Sequence, residues 1–487
     1  MFTLFTQIGI YIIGLLIAWF LMWRLSSVRD RQLLFLAINY VFYATWGLWF
    51  LGVLIFSSLM NYALGNYLRR KPSVRRLWLG ILLNVLVLSI FKYLPILGRG
   101  AQSQPLAVLE RFVLPIGISF WTFQALSYLF DLYREEDLDP SLLEFLVYMS
   151  FWPTVLSGPI CRLPRMLAQF RKEWSPVWED LASGTQRIGI GLLMMGLGQV
   201  LGAGIHPGEG VDSAFALPAE RLGGLDVWIM ILSYGFQLFF SFCGYSHLVI
   251  GAARLFGFEL QENFNRPYLS LSISEFWTRW HMSLSFWIRD YMFFPLATMR
   301  SGAWWRNLCL VIAMFVFGLW HKGTVLFMVW GIYHGVLLVL HRQWQQLQGR
   351  TQAHLPGYVA TTLSWAATFT GVSIGWIFFR AADAHQAATM LRTAFSPERF
   401  QRIALSPSFY AVTLILAMGY FLVMAASGLL NRWASEPAGS ALARPLRLLA
   451  LNRWVWILPL SAVLSLYLFL LLRPQVTAAK SMLYGLF

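Results

Sequence analysis

Residues 307–341 read NLCLVIAMFVFGLWHKGTVLFMVWGIYHGVLLVLH. An apolar run of 14 residues, 307–320, stops at Trp320-His321-Lys322-Gly323 and resumes over 323–341. As a helix, 14 residues rise about 21 Å, less than the roughly 30 Å of a bilayer's hydrocarbon core. The run therefore predicts that His321 lies below the outer surface, within the membrane. An ionisable group at such depth marks a functional site by default. The plainer alternative is a buried imidazole satisfied by a carbonyl.

The pattern of this stretch recurs along the chain. Of 487 residues 58% are apolar and 12% charged, against roughly 25% charged in soluble proteins. Further apolar segments lie at about 77–97, 112–133, 141–161, 186–205, 225–256, 358–379, 408–430 and 452–472, the length that crosses a membrane. The expected fold class is an all-α polytopic integral membrane protein, with about 11–13 transmembrane helices plus re-entrant or interfacial helices. Disorder, a fibrous rod and a disulfide-stapled secreted domain are excluded. The net charge of +15 then reports on topology and anionic headgroups rather than on nucleic acid. Cys161, Cys243 and Cys309 have no paired spacing that would make a zinc or redox site.

Residues 2–23 lack a basic leader and a cleavage site, so they read as a span rather than a removable signal. Arg24, Arg29 and Arg31 follow them and predict an outside N-terminus. Residues 33–67 suit two tight crossings, returning to the basic cytoplasmic loop 69–76. Segment 141–161 has arginines at both flanks, Pro153 and a Ser157-Gly158-Pro159 break, so it reads as re-entrant. Re-entrant backbone needs protein or a water-filled cavity around it. The acidic loop 206–224 is expected outside. The loop 380–407, with four arginines, then falls on the wrong side if each segment crosses once. Gly189, Gly191, Gly196 and Gly198 suit close helix packing.

Residues 263–295 are too polar for a lipid-facing span. Ser272 and Glu275 have the form of a capping box, and Glu275 and Arg279 can pair one turn apart. Tyr268, Trp277, Trp280, Trp287 and Tyr291 suggest an aromatic belt at headgroup level. His334 and His341 lie two turns apart, about 10 Å, too far to share a metal ion. His334 reads as a hydrogen-bonded packing residue and His341 as a solvated helix end. No metal site is expected, and no nucleophile elbow or phosphate loop occurs. What remains is an intramembrane imidazole acting as general base, chemistry suited to acyl transfer onto a hydroxyl.

Several strings resemble the membrane-bound O-acyltransferase (MBOAT) family: 263–268 (NFNRPY), 275–285 (EFWTRWHMSLS) and 287–291 (WIRDY). Support comes from 114–120 (LPIGISF), Tyr128, 131–134 (DLYR), 157–160 (SGPI), Trp320-His321 and 333–335 (YHG). The similarity covers roughly residues 110–340. It is narrowest to the bacterial branch that O-acetylates alginate or transfers D-alanine to teichoic acid. The resemblance implies N-terminal transmembrane helices over 1–110, a catalytic core over 111–345 around a central chamber, and C-terminal helices over 346–487. It implies that His321 is catalytic, with His281 as a second polar position. Relatives usually carry glycine directly after that histidine, whereas here Lys322 intervenes before Gly323.

The implied reaction is O-acetylation of an exported, alginate-like polysaccharide. The donor would be a cytoplasmic thioester such as acetyl-CoA, with no bound cofactor. Arg279, Arg289, Asp290, Arg266 and Lys322 are the candidates for donor or substrate binding. The implied setting is the bacterial inner membrane, with periplasmic acetyltransferase partners and no nucleic acid. Alternatives are D-alanyl or other acyl transfer to a cell-envelope polymer, and a non-enzymatic transporter or scaffold of polysaccharide secretion.

Overall fold

The computed structural model describes residues 14–95, 113–134, 136–173, 177–348 and 356–435. The expected segment at 452–472 and the first part of the run 2–23 lie outside these residues. Every regular element among the described residues is helical. Among the described residues, seven helices are long and apolar enough to cross a membrane. The chain divides into two compact units, Met1–Gln186 with Val249–Glu262, and Arg187–Leu248 with Asn263–Phe487.

In the first unit, α1 (Gly14–Arg24), α2 (Val28–Ala44), α3 (Leu48–Arg70) and α4 (Val74–Lys92) follow one another through short turns. Ser27 and Ser73 cap α2 and α4, each accepting a backbone N–H three residues on. Inside the unit, polar side chains bind helices together. The amides of Asn61 on α3 and Asn84 on α4 donate to each other at 3.0 and 2.7 Å. Asn39 on α2 accepts from Trp152 N–H at 3.0 Å. Then come α5 (Ile118–Tyr133), α6 (Leu142–Ser150) and α7 (Leu163–Phe170). With 9 residues, α6 is too short to cross, and nearly all of 151–160 is buried in turns. That is the irregular, protein-enclosed backbone expected of a re-entrant segment. Gly117 (φ +81°) admits it: a Cβ there would lie 1.9 Å from the Val155 carbonyl oxygen.

Helix α8 (Trp178–Ala203) leads to α9 (Gly224–Leu255), which is buried along most of its length. In the second unit Gly191 and Gly198 of α8 meet α9 closely, a Cβ at Gly191 falling 2.6 Å from the Gly244 carbonyl oxygen. The short helices α10 (Ile273–Arg279) and α11 (Met282–Ile288) precede a hairpin of α12 (Ala303–Lys322) and α13 (Val325–Gln348). Helices α14 (Gly357–Arg380), α15 (Ala384–Ala394) and α16 (Pro407–Ser435) complete the described chain.

Three sequence expectations need correcting. The five aromatics of 268–291 do not form a headgroup belt; all are 4–8% exposed, packed inside the protein. His341 does not end a helix, because α13 runs to Gln348. Two of the four arginines of 380–407, Arg380 and Arg402, bond to the loop 206–226, so the loop's charge is not a simple topology signal. Arg380 pairs with Asp212 at 2.9 Å, and Gln386 donates to the Phe215 carbonyl at 2.8 Å. Ala404 N–H donates to Asp226 at 2.9 Å. The loops 206–226 and 380–405 thus share one end of the second unit, as four traverses between them require.

Candidate active site

Gly323, in the left-handed conformation (φ +66°), closes α12 by donating its N–H to the Leu319 carbonyl at 3.0 Å. This places His321 in the last turn. The helix also begins four residues before the apolar run, at Ala303, so His321 stands about 27 Å along it. It therefore lies near the far boundary of the hydrocarbon core rather than two-thirds across. Its access comes from a cavity of about 680 Å³ that His321 lines, within the size range of small-molecule sites.

Phe379 and Phe327 line part of this cavity, and further aromatic rings pack behind the imidazole. The His321 ring has Trp320 at 4.8 Å, Phe317 at 5.0 Å, Phe379 at 5.1 Å and Trp330 at 5.5 Å. These rings fix the imidazole plane and hold water back on that side. Another part of the lining is polar, with Gln199 from α8 and Tyr234, Gln237 and Ser241 from α9. Gln237 Oε1 and Ser241 Oγ are buried without a hydrogen-bond partner, so they can accept a polar ligand's donors. Lys322, Asp212 and Arg380 complete the lining. Lys322 is exposed, its ammonium 5.8 Å from the Phe327 ring. The Arg380 guanidinium, paired to Asp212, also lies 5.3 Å from the Phe215 ring. A cavity bearing one imidazole, hydroxyl and amide groups can bind a polyol and take a proton from it.

His281 is not among the residues lining this cavity. It forms the break between α10 and α11, with φ +44°. Arg266 (φ +50°) is the other non-glycine residue with positive φ among the described residues. Such strain persists only where surrounding bonds enforce it, and here they do. The Asn263 carbonyl accepts from Met282 N–H at 2.9 Å, and Asn265 N–H donates to Arg279 O at 2.9 Å. The Asn263 side chain accepts from Ser283 Oγ at 2.6 Å. The NFNRPY and RWHMS strings thus clamp each other. His281 is 3% exposed, edge-on to Phe242 at 4.8 Å, and its Nδ1 has no partner. Burial pushes its pKa well below the usual imidazole range, so it is neutral at physiological pH.

The expected donor-binding cations are mostly engaged. Arg279 pairs with Glu275 at 2.5 Å and Arg289 with Asp290 at 2.7 Å. Arg289 also covers the Phe286 ring at 4.7 Å. Of the five candidate binding residues, Lys322 alone lines the His321 cavity. His334 differs from the expected hydrogen-bonded residue. It is fully buried, both ring nitrogens lack partners, and Trp330 and Trp277 lie 5.0 and 5.2 Å from it. Sequence reasoning missed Gln199, Asp212, Tyr234, Gln237, Ser241 and Arg380. Gln199 and Gln237 were the ones with a readable signal, each an amide inside a long apolar run.

Comparison with known proteins agrees with the geometry. The model of the membrane-bound O-acyltransferase family matches residues 71–381, wider than the strings quoted above. A protein of Pseudomonas syringae named probable alginate O-acetylase AlgI is 34% identical over 389 residues, covering 77% of this chain and 72% of that protein. The peptidoglycan O-acetyltransferase of Helicobacter pylori is 30% identical, covering 72% of this chain and 71% of its own length. The teichoic acid D-alanyltransferase of Streptococcus thermophilus is 30% identical, covering 67% and 74% respectively. A histidine-lined cavity in a many-spanning helical protein, joined to this breadth of similarity, identifies the chain as an acyltransferase that belongs to the membrane-bound O-acyltransferase family.

Proposed function

We propose that this protein moves acetyl groups from a cytoplasmic thioester donor across the inner membrane for O-acetylation of an exported, alginate-like polysaccharide, with His321 as general base. The observation that carries the proposal is the cavity lined by His321 and by buried polar atoms without protein partners. It lies at the end of the second unit shared with loop 206–226, which the charge pattern predicts to be outside. An acceptor hydroxyl entering there reaches the imidazole.

In the proposed step the imidazole takes the hydroxyl proton as the oxygen attacks the thioester carbonyl. The C–S bond then breaks, and the leaving thiolate takes the proton from the imidazolium, which restores the neutral base. General-base assistance of this kind is worth about 10²–10⁴-fold. His281, neutral and buried, orients the donor. Lys322 offers a cation to an anionic acceptor at the cavity wall, Arg266 remains a donor-side cation, and Arg279 and Arg289 serve donor binding only by exchanging their present ion pairs. Asp290 positions Arg289. Similarity to D-alanyltransferases supports the same scheme with a D-alanyl group as the alternative. Acetyl-CoA is the donor to test first, and periplasmic acetyltransferases are the expected partners.

The test measures acyl transfer by detergent-purified variants. His321→Ala is expected to lose at least about 10²-fold in rate while purifying and melting as wild type. His281→Asn keeps a residue tolerant of left-handed backbone and is expected to lose less. The reverse order would move the base to His281. A transporter or scaffold would tolerate both changes and show no transfer in detergent.

A further inference from the structure

A second cavity, of about 410 Å³, lies within the first unit, away from any residue assigned above. Its floor is apolar: Phe35, Phe170, Phe256 and Phe258 line it, packed edge to face with Phe258 at 5.1 Å from Phe35 and 5.7 Å from Phe170. Its polar wall carries three cations, Arg31, Lys172 and Arg254, and three carboxylates, Glu173, Asp180 and Glu259. Arg254 consumes two of these acids, meeting Asp180 at 2.8 Å and Glu259 at 2.5 Å. That leaves Arg31 and Lys172 against Glu173.

Arg31 is the informative member. Its Nε donates to the Leu25 carbonyl at 2.8 Å, which fixes the guanidinium. Its Nη1 is buried and has no acceptor. The residue also stands in the first turn of α2, where the helix dipole already presents positive charge. A cation held there, with one N–H buried and unmatched, is unfavourable until an anion from outside the chain completes it. The neighbouring helix α1 shows Leu16, Ile17, Phe20 and Trp23 at its surface, 45–62% exposed, so the cavity adjoins a lipid-facing wall. The basic flank of Arg24, Arg29 and Arg31 predicts the cytoplasmic side. Phosphate esters are the abundant anions at that level, and guanidinium matches their oxygens.

We propose that this cavity binds a phosphate ester. Arg31 Nη1–H donates to a phosphate oxygen, Lys172 supplies a second cation at the rim, and the phenyl floor takes the adjoining apolar part. The phosphate comes either from a phospholipid headgroup or from a soluble phosphate ester, and the two sources separate experimentally. Binding of dihexanoyl phosphatidylglycerol and of glycerol 3-phosphate to the full-length protein in detergent is measured at constant ionic strength. Saturable binding of the lipid alone assigns the headgroup, and comparable binding of both assigns the soluble ester. Loss of one charge-assisted hydrogen bond predicts at least about tenfold weaker binding by Arg31→Gln, with partial recovery in Arg31→Lys. Arg75→Gln, an exposed cation outside the cavity, is expected to bind as wild type. If Arg31→Gln does not purify as a folded protein, Lys172→Gln, on an exposed side chain, decides the matter by the same weakening. The proposal is overturned if neither ligand saturates, if the cavity variants bind like wild type, or if Arg75→Gln weakens binding as much.

Discussion

Replacing Gly331 by alanine tests whether the α12–α13 hairpin sets the geometry around His321. A Cβ at Gly331 would sit 2.2 Å from the Met314 carbonyl oxygen, and one at Gly318 would sit 2.1 Å from that of Phe327. Both neighbours are helical backbone, which cannot swing aside as a side chain does. Carbon and carbonyl oxygen come no closer than about 3.3 Å, so Gly331→Ala must drive the helices apart by about 1 Å. Strain of this kind costs about 1–3 kcal/mol. Trp330 adjoins Gly331 and lies 5.5 Å from the His321 ring, so the packing that holds the imidazole moves with the hairpin. A misplacement of about 1 Å can cost roughly 10²-fold in rate. Acyl transfer by the purified variant is expected to fall by that order while the protein still inserts and purifies. Gly52 and Gly419 have nothing within 4 Å of a built Cβ, so their alanine variants are the matched controls. A Gly331→Ala enzyme with the wild-type rate, or equal losses in the controls, would refute the argument.

Asp226 is fully buried and accepts from Gly223 N–H at 2.8 Å, Ala404 N–H at 2.9 Å and Tyr410 Oη–H at 2.7 Å. Asp226→Asn puts an amide donor among donors and is expected to destabilise by about 2–4 kcal/mol, read as a lower melting temperature and earlier proteolysis of loop 380–405. Glu144 provides a pH test. Burial alone would raise its pKa, but hydrogen bonds from Arg171, at 2.7 Å, and Ser141 outweigh this and hold it below its ordinary value of 4.5. A depressed carboxylate stabilises the fold above its unfolded pKa, and the stabilisation is lost as pH falls through the folded value. Melting temperature should therefore decline on acidification below about pH 4.5, and Glu144→Gln should flatten that decline; an unchanged slope would contradict the assignment.

Much of the fold was legible because hydrocarbon imposes a simple rule. Backbone in lipid must satisfy itself as helix, so the apolar runs at 225–256, 358–379 and 408–430 emerged as α9, α14 and α16, with ends shifted by one residue except at the C-terminus of α16, which runs on to Ser435. Helix starts outside the apolar run were less legible. Trp304 and Trp305 tolerate the boundary and extend α12 back to Ala303, which moved His321 toward the far end of its helix. Charge bias misled at 380–407, since Arg380 and Arg402 bond to the loop 206–226.

By itself the sequence determined a many-spanning helical protein, its membrane-bound O-acyltransferase family, and His321 and His281 as the residues to test. Those rest on local properties, run length and contiguous strings, which need no knowledge of distant neighbours. Only the tertiary structure decided that Gln199, Asp212, Gln237 and Arg380 face one cavity with His321, and that His281 lies buried at a strained break outside its lining. Side chains more than a hundred residues apart meet there because helices cross where glycines let their backbones touch, and the facing side chains depend on crossing geometry that hydropathy does not encode.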